Sequence, residues 1–139
     1  MRQSSQCLTR PLRVLIVDDY PDTTETLARL LTAWDYLPVT ASTGLEALER
    51  ARSFDPDVII ADVAMTGLSG LQLARKIRNM PESRDTVLIA ITGVQGIEQE
   101  CKEAGFDHYF RKPSDLVELQ TLLEGLDHRL ASLNEIYHG

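Results

Sequence analysis

The sequence predicts an α/β fold, a doubly wound parallel sheet of five strands with helices on both faces. Three observations predict it. Short β-branched runs alternate along the chain with segments of helical spacing. The runs Leu15–Val17 and Val58–Ile60 are continuously apolar, as strands covered on both faces are. Strand and helix signals alternate one for one, which implies right-handed βαβ units.

The strand signals fall at Leu12–Val17, Leu37–Ala41, Val58–Ala61, Val87–Ile91 and the less apolar His108–Phe110. Between them, Leu27, Leu30, Leu31 and Trp34 recur at helical spacing, with Asp22 placed to cap that first helix. Ala47, Ala51 and Phe54 form a second stripe, Leu73, Ile77 and Met80 a third, and Ile97, Cys101 and Ala104 a fourth. A last helix carries Leu116, Leu119, Leu122, Leu123, Leu126, Leu130 and Leu133. This stripe is either one amphipathic helix lying on the sheet or, in its extra length, a surface for a partner or a homodimer.

The 139 residues suit one domain. Residues 1–10 are polar and expected to be a flexible N-terminal segment, and residues 134–139 a C-terminal tail. Net charge is −7, from 21 acids against 14 bases, without a basic stripe, so no direct nucleic-acid contact is expected. The N-terminus lacks the apolar core of a secretory signal, and no run approaches the length of a membrane span. Cys7 and Cys101 are far apart, and Cys101 falls on an apolar helix face, as a buried inert thiol would. A cytoplasmic protein that does not engage membranes is expected.

Ligands of such sheets bind beyond the carboxyl ends of the strands. The first strand ends in Asp18-Asp19, the third in Asp62, the fourth in Thr92 and the fifth near Lys112. Any one of these has an ordinary explanation, since Asp starts turns and caps helices. Their convergence on one rim has a chemical one. Three carboxylates in a crevice repel, and a hard divalent cation such as Mg²⁺ relieves the conflict. A carboxylate can also attack phosphorus to give an acyl phosphate, a reaction that depends on positioning and charge neutralisation. Asp62, central on the third strand, is the natural nucleophile.

These residues resemble the receiver domain of bacterial two-component response regulators. The resemblance runs from Leu12 to about Leu126 through Val14–Asp19, Val58–Asp62, Gly70 at the start of the third helix, Leu88–Gly93, Glu103–Tyr109 and Arg111–Pro113. It implies a flavodoxin-like (βα)5 receiver domain over residues 11–133 with strand order 2-1-3-4-5. It also implies Asp62 as the phosphoacceptor, Asp18 and Asp19 as the acidic pair, and the backbone carbonyl of Ala64 as a further Mg²⁺ ligand. Thr92 matches the switch hydroxyl, Lys112 the lysine on the phosphoryl oxygen, and Pro113 the second residue of a cis Lys-Pro bond. Tyr109 matches an aromatic that turns inward on activation, although by residue type alone it is equally a fixed amphipathic ring. The phosphodonor would be a histidine kinase or histidine phosphotransfer protein, and a downstream protein partner would read the change.

The chain departs from the family in three places. Thr66 stands where proline is frequent, so the acceptor loop is less restrained. Ala64 and Val94 flank the acceptor where polar side chains are frequent, which predicts slow hydrolysis of the aspartyl phosphate. The stretch from Thr92 to Lys112 is slightly short and contains Gly93 and Gly96, which predicts a short or irregular fourth helix. Too few residues follow the fifth helix for a DNA-binding or catalytic module, so output is expected through protein contact, phosphoryl relay or a domain absent from this chain.

Other classes fit less well. A phosphatase of the haloacid dehalogenase type needs a second acid two residues after the first, where Ala64 stands. A flavin carrier needs a Ser/Thr/Gly-rich phosphate loop after the first strand, and none is present. The alternative carried forward is a receiver-fold scaffold for protein–protein interaction that is never phosphorylated.

Overall fold

A computed structural model describes residues 10–65, 67–83, 85–112 and 116–127. The expectations for residues 1–9, Thr66, Pro113, Leu130, Leu133 and the tail at 134–139 lie outside the described residues.

Five strands, β1 (Arg13–Val17), β2 (Leu37–Ala41), β3 (Val58–Ala61), β4 (Val87–Thr92) and β5 (His108–Arg111), alternate with helices α1 (Pro21–Ala33), α2 (Gly44–Phe54), α3 (Gly70–Arg78), α4 (Glu98–Ala104) and α5 (Leu116–Leu126). The sheet order is β2-β1-β3-β4-β5 and every pairing is parallel, as expected. Alternation along the central strands splits the core in two. Leu15, Val17, Ile59, Ala61, Leu88 and Ala90 join the cluster that includes side chains of α2, α3 and α4. Val14, Ile16, Val58, Ile60, Ile89 and Ile91 join Leu27 and Leu31 of α1 and Leu119 and Leu123 of α5. Burial on both faces explains the continuously apolar strand runs. Pro38 sits in β2, an edge strand, where a missing N–H is tolerated.

Local chemistry sets the helix boundaries. Pro21 occupies the first position of α1, which makes Tyr20 the N-cap and puts Asp22 inside the first turn. Asp22 is therefore not the cap that the sequence suggests; it complements the helix dipole from within. In α3, Ser69 and Gln72 form a capping box. Helix α4 has seven residues and no side-chain cap, in keeping with the weak start expected there. It ends at Gly105, whose φ of 117° suits a residue without Cβ. Cys101 is buried on α4, and burial followed by the charges of Glu100 and Glu98 pushes its thiol up.

Arg78, at the end of α3, fastens the opposite rim. Its Nε and Nη2 donate to the Gly105 carbonyl at 3.0 and 2.8 Å, Nη1 to the Thr86 carbonyl at 2.6 Å, and Nη2 to Asp107 Oδ2 at 2.7 Å. Arg78→Ala strips charged donors from two loop carbonyls at once. It is expected to cost about 2–3 kcal/mol, read as a lower denaturant midpoint at unchanged slope.

Candidate functional site

The parallel ladders bring the strand ends to one rim. Val17 pairs with Ala61, and Asp62 N–H donates to the Val17 carbonyl at 2.9 Å, so Asp18 and Asp62 leave the sheet side by side. Ala61 pairs with Ala90, two residues before Thr92. Thr92 pairs with Arg111, and Lys112 N–H donates to the Thr92 carbonyl at 2.9 Å, which carries Lys112 to the same rim.

The two buried aspartates are built alike. Asp18 Oδ1 accepts from Tyr20 N–H at 2.9 Å, and Asp62 Oδ1 accepts from Ala64 N–H at 3.0 Å. Each carboxylate thus closes its own turn through one oxygen, which is the ordinary reason for Asp at a strand end. The other oxygen of each faces Lys112, whose Nζ donates to Asp18 Oδ2 at 3.0 Å and to Asp62 Oδ2 at 3.2 Å. The turn-forming and chemical readings of these residues are therefore the same geometry. Asp19 is half-buried and joins them: one carboxylate oxygen from each of Asp18, Asp19 and Asp62 lies within 4.8 Å of the others. The donors are all hard oxygens, the type that Mg²⁺ takes.

Burial pulls the Lys112 ammonium down, but its hydrogen bonds and charge contacts with Asp18 and Asp62 outweigh that and hold it above its ordinary 10.5. A cation with a raised value contributes fully below its unfolded value, and the contribution fades as pH rises through the folded one. The bridge is therefore complete at neutral pH and fades only above about 10.5. Beside these three residues a cavity of about 470 Å³ extends under α1, with Ile16, Leu27, Ile60 and Leu116 among its walls. Apolar walls on one side strengthen the ion pairs that face it.

Thr92 is fully buried, and its Oγ1 accepts from Val94 N–H at 3.1 Å. Tyr109 is half-buried, packs against the core on the α2–α4 face, and donates from its hydroxyl to the Val94 carbonyl at 2.9 Å. Burial, then Cys101 and Glu98, push the phenol above its ordinary value despite the opposing charge of Arg111, so it stays a donor. Both polar groups of one peptide position therefore join Thr92 to Tyr109. The sequence singles out Val94 for its side chain, whereas its main chain makes these bonds. No residue-type signal could have revealed that. Val94 is 41% exposed and Ala64 is also exposed, and neither residue type carries a polar side chain to the rim.

Among the described residues no helix is long and apolar enough to cross a membrane. The family model described as "Response regulator receiver domain" matches residues 14–124. The chain is 32% identical over 118 residues to the response regulator MprA of Mycobacterium sp. (strain KMS), covering 84% of this chain but 50% of the relative. It thus spans about half the length of the MprA proteins it matches. The polar-differentiation response regulator DivK of Brucella anthropi is 31% identical over 105 residues, 74% of this chain and 85% of that protein. Among solved structures, the receiver domain of sensor histidine kinase PA1611 from Pseudomonas aeruginosa PAO1 superposes with a TM-score of 0.76 at 28% identity. The match covers 84% of this chain and 97% of that one, which holds a magnesium ion coordinated in its active-site cleft. The rim of Asp18, Asp62 and Lys112 falls inside the matched region, and the chain belongs to the response regulator receiver domains, the phosphorylation-dependent signalling modules of two-component systems.

Proposed function

We propose that Asp62 accepts a phosphoryl group from the phosphohistidine of a sensor histidine kinase or a histidine phosphotransfer protein. On this reading a Mg²⁺ ion is held by Asp18, Asp19, Asp62 and the Ala64 backbone carbonyl. The observation that carries the reading is the set of three carboxylate oxygens within 4.8 Å of one another, with Lys112 bridging two of the residues. The magnesium ion in the Pseudomonas neighbour supports it by similarity. When bound, Mg²⁺ supplies positive charge to the carboxylates and to the oxygens of the transferring group.

The protein's own groups do the rest. The Ala64 amide and the Lys112 ammonium hold the Asp62 carboxylate against rotation. One Asp62 oxygen forms a bond to phosphorus as the donor's N–P bond breaks, and the freed imidazole takes a proton from solvent. Lys112 is already charged and within reach to pair with the phosphoryl oxygens. Thr92, an acceptor towards Val94 N–H, keeps its own O–H proton to donate to one of them. That movement would release the Val94 amide and alter the peptide that Tyr109 grips. A downstream protein partner would read the change, and exposed Leu116 and Val117 at the start of α5 offer apolar contact to it or to a second copy. On this reading the protein works in the cytoplasm.

The test is intact mass after incubation with acetyl phosphate. One added phosphoryl group with Mg²⁺ and none with excess chelator is the expected result. Uptake indifferent to the metal would contradict the metal site, and no uptake would favour the unphosphorylated scaffold.

The flanking side chains predict the lifetime. Ala64 and Val94 carry no group that could orient an attacking water, so the aspartyl phosphate should decay slowly. A decay course followed with Mg²⁺ present is expected to extend over minutes or longer, and complete loss within seconds would refute this.

A further inference from the structure

We infer that Gly70 is a positioning residue for phosphoryl transfer, acting through the loop that links the acceptor Asp62 to helix α3. The inference rests on the Mg²⁺-assisted acceptor reading of Asp62 given above. A Cβ at position 70 would stand 2.5 Å from the Asp62 carbonyl oxygen, 2.6 Å from Val63 Cα and 3.1 Å from the Asp62 carbonyl carbon. All three are main-chain atoms, so no rotamer change can make room. The bare backbone also lets Gly70 N–H donate to the Val63 carbonyl at 3.0 Å. The start of α3 is thereby clasped directly to the residues that carry the acceptor.

A methyl group must displace something, and the surroundings decide what. Strand β3 is buried along its whole length, and Asp62 N–H is tied to the Val17 carbonyl. Helix α3 is held by its capping box and by Leu73, Ala74 and Ile77 in the core. The chain between them carries Val63 and Met65, both buried in the same core, and Gly67 at a φ of 76°. The atoms that a methyl would meet belong to Asp62 and Val63, so whichever side gives way, the residues that follow Asp62 shift against the start of α3. Those residues include Ala64, whose amide orients the Asp62 carboxylate and whose carbonyl is assigned to the metal. The Gly70 clasp closes the loop between the acceptor and α3, and its loss spoils the site before it unfolds the domain.

The experiment compares Gly70→Ala with Ile77→Val, a core change in the same helix remote from the loop. Each protein is titrated with Mg²⁺ alone by calorimetry, and its stability is measured in parallel. Gly70→Ala is expected to weaken Mg²⁺ binding by about 10-fold or more. It should slow acceptance from acetyl phosphate on the order of 10²-fold. Ile77→Val should leave Mg²⁺ affinity unchanged while lowering stability. Unchanged Mg²⁺ affinity in Gly70→Ala, or equal weakening in Ile77→Val, would overturn the inference. If the wild-type protein neither binds Mg²⁺ nor accepts a phosphoryl group, the underlying reading fails first and takes this one with it. Should Gly70→Ala not fold in buffer, it is folded with a stabilising osmolyte and titrated beside the wild type in the same solution, where weaker Mg²⁺ binding supports the inference and equal affinity overturns it.

Discussion

Asp62→Asn is expected to abolish phosphoryl acceptance while leaving a folded protein. The amide has no anionic oxygen to attack phosphorus, so the covalent route closes. Asn keeps a side-chain oxygen that can accept from Ala64 N–H, and Lys112 keeps its bond to Asp18. One negative charge also leaves a crevice where three carboxylate oxygens stand within 4.8 Å. Stability should therefore hold or rise, by roughly 1 kcal/mol at the effective dielectric of a partly buried site. Intact mass after acetyl phosphate treatment and a denaturant melt of the same sample check both halves. Uptake at the wild-type rate would remove Asp62 from its role.

Lys112→Met should damage transfer and stability together. The ammonium contacts Asp18 and Asp62, which are only 4% and 7% exposed, and methionine replaces it with an apolar chain of similar length. Removing one partner of a buried ion pair ordinarily costs about 3–5 kcal/mol, and with Lys112 itself about a third exposed we expect roughly 1–3 kcal/mol at neutral pH. Because the wild-type bridge is complete below about 10.5, the difference between the two proteins should shrink as pH is raised beyond that value. Loss of a preformed charge on the phosphoryl oxygens should lower the acceptance rate on the order of 10²–10³-fold. Denaturant melts across pH and a mass-based rate measurement test the two effects separately. A variant with the wild-type rate would assign Lys112 to stability alone.

The sheet was legible because its signals are local. Val58–Ala61 and Leu37–Ala41 are observed with the boundaries that the β-branched runs suggest. β4 runs one residue further to Thr92 and β5 one further to Arg111, since polar side chains at the rim do not stop a backbone ladder. The convergence of Asp18, Asp19, Asp62 and Lys112 was legible too, since a parallel sheet puts all strand ends on one side. What stayed hidden depends on three-dimensional neighbours. Nothing local shows that Lys112 divides itself between Asp18 and Asp62, or that Tyr109 reaches the Val94 carbonyl. Arg78 reads as one more surface base on a helix, yet it closes the loops at Thr86 and Gly105. Asp22 suggests a cap by residue type, but Pro21 takes the first helical position and moves the boundary of α1 ahead of it.

The central claim is tested most directly by locating the phosphoryl group. Protein treated with acetyl phosphate and Mg²⁺ is reduced with borohydride, which converts an aspartyl phosphate to homoserine, and its peptides are sequenced by mass spectrometry. Homoserine at position 62 and nowhere else is the predicted result. Homoserine at position 18 or 19, or a phosphorylated protein with aspartate intact at 62, would contradict the account.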